Sequence, residues 1–177
     1  MKSKTNLVLS VKPFCRGFAF ALFEDQQSPA DWGVKDIRGK AKNALTLHAV
    51  KQVITQYHPD MLVLPKPEAR SDRIKKLISA IDDHAKKQGI PVHTVTRADI
   101  RAVFAADLPG AGDAGRAFFK PTRYQIAQAI ANRFEFFAPQ LPPPRRFYDS
   151  EDARMSLFDA VSAAVTFYAR QKAGGGK

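Results

Sequence analysis

Apolar residues alternate with others from Asn6 to Lys12. Leu7, Leu9 and Val11 fall on one face of a strand, and Val8, Ser10 and Lys12 on the other. A second apolar run, Phe18–Glu24, follows after Pro13–Gly17, and the two predict a hairpin. Asp31–Arg38 reads as a third strand with polar interruptions, suited to a sheet edge. The period then changes. Leu47, Val50, Ile54 and Tyr57 recur at helical spacing and predict a helix over 41–57, ended by His58-Pro59-Asp60. The unbroken run Met61–Leu64, closed by Pro65-Lys66-Pro67, predicts a short strand buried on both faces. Ile74, Leu77, Ile78, Ile81 and Ala85 stripe a helix over 71–88, which Gly89 stops. Pro91–Val95 is the next strand, and Thr96 with Asp99 has capping-box spacing at the start of a short helix. Residues 106–119 are rich in Gly and Ala without a period and predict a mobile loop. A helix over 122–136, an extended proline-bearing linker over 137–149 and a Ser150-capped helix from Glu151 to about Arg170 follow, with 171–177 as a frayed tail. The order β-β-β-α-β-α-β-α-α-α implies an α/β domain over 1–170, with helices on both faces of a mixed sheet.

The 177 residues suit a single core, and 45% hydrophobic with 25% charged residues is ordinary for a globular chain. No apolar run approaches the roughly 20 residues that cross a bilayer, and Leu7–Val11 is too short for a signal-peptide core. The single cysteine, Cys15, has no internal partner, which fits a reducing compartment, and a cytoplasmic location is the expectation. Net charge is +11. Basic residues outnumber acidic ones by nine to five over 1–60, nine to five over 61–105 and ten to seven over 106–177, so the excess belongs to the body of the chain. A basic body attracts polyanions through phosphate neutralisation and counterion release.

The segments LVLSVKP, HPDMLVL, VHTVTRADIRAVF, KPTRYQIAQAI and FDAVSAAVTF, in this order, resemble the RuvC-type Holliday junction resolvases over nearly the whole chain. The resemblance implies a ribonuclease H-like fold, a first-strand Asp followed by Pro, and a central strand ending in Glu. It also implies a closing helix with two acids, and leaves a homodimer open. That family cuts DNA with two Mg²⁺ ions held by four carboxylates, which offset the repulsion between the cations and fix the oxygens of the displaced phosphate. Here the first acid falls on Lys12, the second on Pro65 and the outer acid of the closing helix on Ser156. Only the inner one, Asp159, is a carboxylate.

An ammonium at Lys12 would repel a metal ion. The expectation is that Lys12 pairs with Asp159 and partly replaces the lost metal charge; otherwise it reaches solvent at the strand end. A displaced Mg²⁺ or Mn²⁺ site from Asp159, Asp152 and Glu68 is the competing arrangement, although acids after Ser150 also suit a helix N-terminus. The four histidines lack ligand spacing, and His93 either faces the site or is structural. Candidate phosphate contacts are Lys12, the cluster Arg38, Lys40 and Lys42, the loop residues Lys66, Arg70 and Arg73, and Lys120 with Arg123 at a helix start. Arg145 and Arg146 adjoin Phe147 and Tyr148, a basic–aromatic pairing that suits an unstacked base.

The sequence therefore favours a RuvC-like, nucleic-acid-binding pseudo-nuclease that needs no metal cofactor and contacts branched or duplex DNA, with DNA favoured over RNA. The alternatives are a Mg²⁺- or Mn²⁺-dependent endonuclease with non-standard carboxylates, and a protein-binding scaffold.

Overall fold

The computed structural model describes residues 6–67, 71–108 and 119–174. Three strands open the chain: β1 (Val8–Phe14), β2 (Gly17–Asp25) and β3 (Ser28–Asp36). Then come α1 (Lys42–Tyr57), β4 (Met61–Pro65), α2 (Asp72–Lys87), β5 (Val92–Val95), α3 (Arg97–Asp107), α4 (Arg123–Arg133), a 3₁₀ turn (Glu135–Gln140) and α5 (Arg154–Gly174). The sheet order is β3-β2-β1-β4-β5, with β1, β2 and β3 antiparallel and β1-β4-β5 parallel.

The pleat of β1 and β2 divides two apolar layers. Leu9 and Val11, with Phe18, Phe20 and Leu22, face α1 and α2, where Val50, Ile54, Leu77 and Ile81 meet them. Ala19, Ala21 and Phe23 face α3, α4 and α5, against Phe104, Ile130, Phe158 and Val161. Val8 reaches the same side and joins Val63, Val95, Ala163 and Phe167. β1 is apolar on the face toward α1 and α2, while its other face carries Val8, the buried Ser10 and Lys12. α5 has no polar stripe, because it packs along the sheet with α3 and α4 against its other sides; every residue from Ala160 to Phe167 is buried.

Local chemistry sets most boundaries. Thr96 and Asp99 form the expected capping box, and Thr122 and Gln125 form a second one. Gly89, at φ +71°, follows the end of α2. The β1–β2 connection is tighter than expected: only Cys15 and Arg16 separate the strands. A side chain at Gly17 would lie 1.9 Å from the carbonyl oxygen of Lys35, so the close strand approach requires glycine there.

Several boundaries depart from those the sequence predicts. β3 begins at Ser28, and it does occupy the edge. The helix expected over 122–136 stops at Arg133, where Phe134 turns extended, and the 3₁₀ turn lets Phe134 and Phe137 both enter the core. The final helix starts at Arg154, because the Asp152 carboxylate accepts the Arg154 N–H at 2.9 Å and holds a turn before it. That helix runs on to Gly174, through part of the expected tail, since Gln171, Lys172 and Ala173 are good helix formers. α3 extends to Asp107, and residues 109–118 of the expected mobile loop lie outside the described residues. No helix among the described residues is long and apolar enough to cross a membrane.

Candidate nucleic-acid interface

Lys12 is near the end of β1 on the face turned toward α5, and its sheet partner is Ala19. Asp159 lies in the second turn of α5. The two meet with Lys12 Nζ 3.9 Å from Asp159 Oδ2. A closer cation completes the group. Arg123, at the first position of α4, donates from Nε to Asp159 Oδ1 at 2.8 Å and from Nη2 to Oδ2 at 2.6 Å. This is a bidentate fork, the strongest geometry available between these side chains. Arg123 also pairs with Glu151. Arg123, Lys12 and Asp159 are 28%, 34% and 20% exposed, so the cluster is partly shielded from water.

The sequence assigned Arg123 to phosphate binding. Its guanidinium is instead engaged by two carboxylates, with the capping box of α4 placing it opposite α5. The displaced metal arrangement also meets a cation. The Asp152 carboxylate accepts hydrogen bonds from Arg154 Nε at 3.1 Å and Nη2 at 2.7 Å. Arg154, and more weakly Arg16 in the hairpin turn, hold the Asp152 carboxyl below the usual range. Glu68, like Arg70, lies outside the described residues. Ser156 is buried and Pro65 closes β4. No cluster of three or more His, Cys, Asp or Glu occurs among the described residues. Mg²⁺ favours several oxygen ligands, and a site whose two carboxylates, Asp159 and Glu151, are both engaged by Arg123 beside an ammonium does not fit a pair of such ions. The His93 ring packs edge-on against Phe167, with centroids 5.1 Å apart, and its Nε2 is buried without a hydrogen-bond partner among the described residues.

The remaining basic candidates separate into groups. Lys40, Lys42 and Arg73 line one open depression of about 350 Å³ at the start of α1, together with Gly39, Ala41, Asn43 and Ala44. Ala41 gives α1 no side-chain cap, so the first amides of the helix have no side-chain acceptor from it. Arg73 also donates to the carbonyls of Phe14 at 3.3 Å and Cys15 at 2.9 Å, tying the hairpin turn to α2. Arg38, Lys66 and Lys120 are exposed and make no side-chain hydrogen bond or ion pair among the described residues. Arg145 and Arg146 belong to an exposed turn beside Phe147 and Tyr148.

No protein-family model matches the chain, and no curated protein matches it. Solved structures do. Thermus thermophilus RuvC superimposes with a TM-score of 0.62 at 15% identity, covering 94% of this chain and 96% of that one. The same protein in complex with a Holliday junction substrate gives 0.61 at 16% identity, covering 93% and 95%. The fowlpox virus Holliday junction resolvase gives 0.56 at 15% identity, covering 93% and 99%. The strand order, the placement of helices on both faces and these superpositions together give the chain the ribonuclease H-like fold of RuvC and the Holliday junction resolvases.

Proposed function

We propose that this protein binds DNA, branched or duplex, through phosphate contacts and does not cleave it. The observation that carries the reading is the state of Asp159: both its oxygens are forked by Arg123, and Lys12 stands at the strand end where the resembling family carries an acid. A carboxylate in that condition balances cations within the protein and has little capacity left for a divalent ion. Lys12 and Arg123 do what a metal would otherwise do electrostatically, but an ammonium and a guanidinium cannot supply an activated water, and the fork of Arg123 is already taken by Asp159. The body of the chain keeps a net charge of +11, and the depression lined by Lys40, Lys42 and Arg73 suits a backbone phosphate. The solved relative with a Holliday junction supports a branched substrate.

The test is binding and cleavage of a labelled four-way junction, a matched duplex and a single strand in Mg²⁺, Mn²⁺ or EDTA, across a salt series. The expected result is binding without cutting, indifferent to EDTA, with affinity falling by a log–log slope of about −0.9 per neutralised phosphate on duplex. Metal-dependent cutting that disappears in Asp159→Asn would establish a rebuilt nuclease site instead. Absence of DNA binding near 0.15 M salt would leave the scaffold alternative.

A further inference from the structure

Phe147 is 102% exposed and Tyr148 76% exposed, although the turn that bears them is ordered by its own hydrogen bonds. The Asp149 N–H donates to the Arg146 carbonyl at 3.1 Å, and the Asp149 carboxylate accepts the Arg146 N–H at 3.1 Å. Arg145 Nε donates to the Asp149 carbonyl at 2.8 Å, and Arg146 Nη1 to the Tyr148 hydroxyl at 3.1 Å. Both ends of the segment are anchored on α4. Tyr124 donates its hydroxyl to the Pro142 carbonyl at 3.1 Å, and Glu151 pairs with Arg123. Pro142, Pro143 and Pro144 stiffen the approach. A phenylalanine held wholly in water on a braced turn buries nothing within the fold, and its display between two anchors on α4 points to a ligand.

We propose that this turn is a stacking wedge: Phe147 stacks on an unpaired nucleobase of the bound DNA while Arg145 and Arg146 grip the adjoining phosphates. The inference rests on the DNA-binding reading above and names the feature of the DNA that the turn recognises. Charge decides between a base and an apolar protein surface. Two arginines immediately precede the ring in the chain, and the one carboxylate within the turn, Asp149, accepts the Arg146 backbone N–H. Arg145 uses only Nε, and Arg146 only Nη1, for side-chain hydrogen bonds among the described residues, which leaves their other N–H groups for phosphate oxygens. Wedging a ring into matched duplex costs the unstacking of a base step, and that cost is absent where the stack is already interrupted, so the favoured target is a bulge, a gap or a junction centre.

The experiment compares the full chain with Phe147→Ala and Phe147→Trp on two DNAs, one with a bulged 2-aminopurine and one with the same base paired. The expected result is that the wild type prefers the bulged DNA and changes its 2-aminopurine emission. Phe147→Ala should lose about 5- to 150-fold of that preference, the range of one base–aromatic stack, and Phe147→Trp should restore it. Affinity for the paired DNA should not change. The exposed position makes the fold indifferent to these substitutions. If Phe147→Ala binds both DNAs as the wild type does, the wedge is refuted while the DNA-binding reading stands. If sedimentation shows that Phe147→Ala dissociates a dimer with the DNA preference intact, the ring serves a second copy and the wedge is again refuted. If the wild type binds neither DNA, the DNA-binding reading itself fails and takes the wedge with it.

Discussion

Two cations approach Asp159, and their geometry says which one holds it. Arg123 makes two parallel charge-assisted hydrogen bonds at 2.6 and 2.8 Å. Lys12 Nζ stands at 3.9 Å, outside hydrogen-bond range, and is 34% exposed. Fully exposed pairs are worth about 0.2–1 kcal/mol, and breaking a buried pair costs about 3–5. With Arg123 and Asp159 at 28% and 20% exposure, their fork belongs between these limits, at about 2 kcal/mol after discounting for solvent. Lys12 belongs with the exposed class, below about 1 kcal/mol. Asp159→Asn keeps the shape and removes the charge, so it should lower the unfolding midpoint by about 4–8 °C, given about 2–4 °C per kcal/mol for a chain of this size. The assay is a pair of double-mutant cycles by urea unfolding, one with Asp159→Asn and Arg123→Gln, the other with Asp159→Asn and Lys12→Met. Coupling to Arg123 should exceed coupling to Lys12 at least twofold. A Lys12 coupling as large as that of Arg123, or an Arg123 coupling below about 0.5 kcal/mol, would refute the assignment of Arg123 as the principal counter-charge.

Other expectations follow from the same structure. Replacing Lys40 and Lys42 by Gln should reduce the salt slope of duplex binding by up to about 0.9 per residue that contacts phosphate, measured by anisotropy across a salt series. The Tyr168 hydroxyl is pushed up to about 12, chiefly by burial and then by the Asp25 charge, so the folded state keeps a proton that the unfolded chain releases near 10. Its contribution is complete below pH 10 and is lost as pH rises from 10 to 12; unfolding over that range should show an alkaline decline in stability, flattened in Tyr168→Phe. Gly17→Ala would force a methyl group within 1.9 Å of the Lys35 carbonyl and should cost about 1–3 kcal/mol or more, read as a lower denaturant midpoint with an unchanged slope.

The parts of the fold that local physics dictates were legible in the chain. Met61–Leu64 could only be a strand buried on both faces, and Thr96 with Asp99 announced a helix start because their spacing lets two side chains satisfy two amides. The end of α4 was hidden, because Phe134 and Phe137 enter the core through a 3₁₀ turn whose spacing continues a helical stripe. The start of α5 was misplaced because Ser150 resembles a cap, while the side chain that shapes the turn is Asp152. At the site, Lys12 and Asp159 emerged from the family pattern, and the structure sets them 3.9 Å apart. Arg123 did not emerge as their partner. It is 36 residues from Asp159 in the chain, and no short-range signal links one helix's first residue to the middle of another. One clue was available: Thr122-Arg123-Tyr124-Gln125 has capping-box spacing, which fixes Arg123 at a helix start.

The position of α5 has a consequence for how the molecule comes into being. The layer of α1 and α2 can close over its side of the sheet once β5 has left the ribosome, since every partner lies within the first 95 residues. The opposite side cannot. Ala19, Ala21 and Phe23 have only Phe104, Ile130 and Phe134 to cover them until Phe158 and Val161 arrive with α5. Domains are most prone to aggregate while such apolar surface is open, so the interval between the emergence of β5 and that of α5 is the vulnerable period of synthesis. Because Asp159 rides on the same helix, Lys12 and Arg123 gain that counter-charge only when the second layer seals.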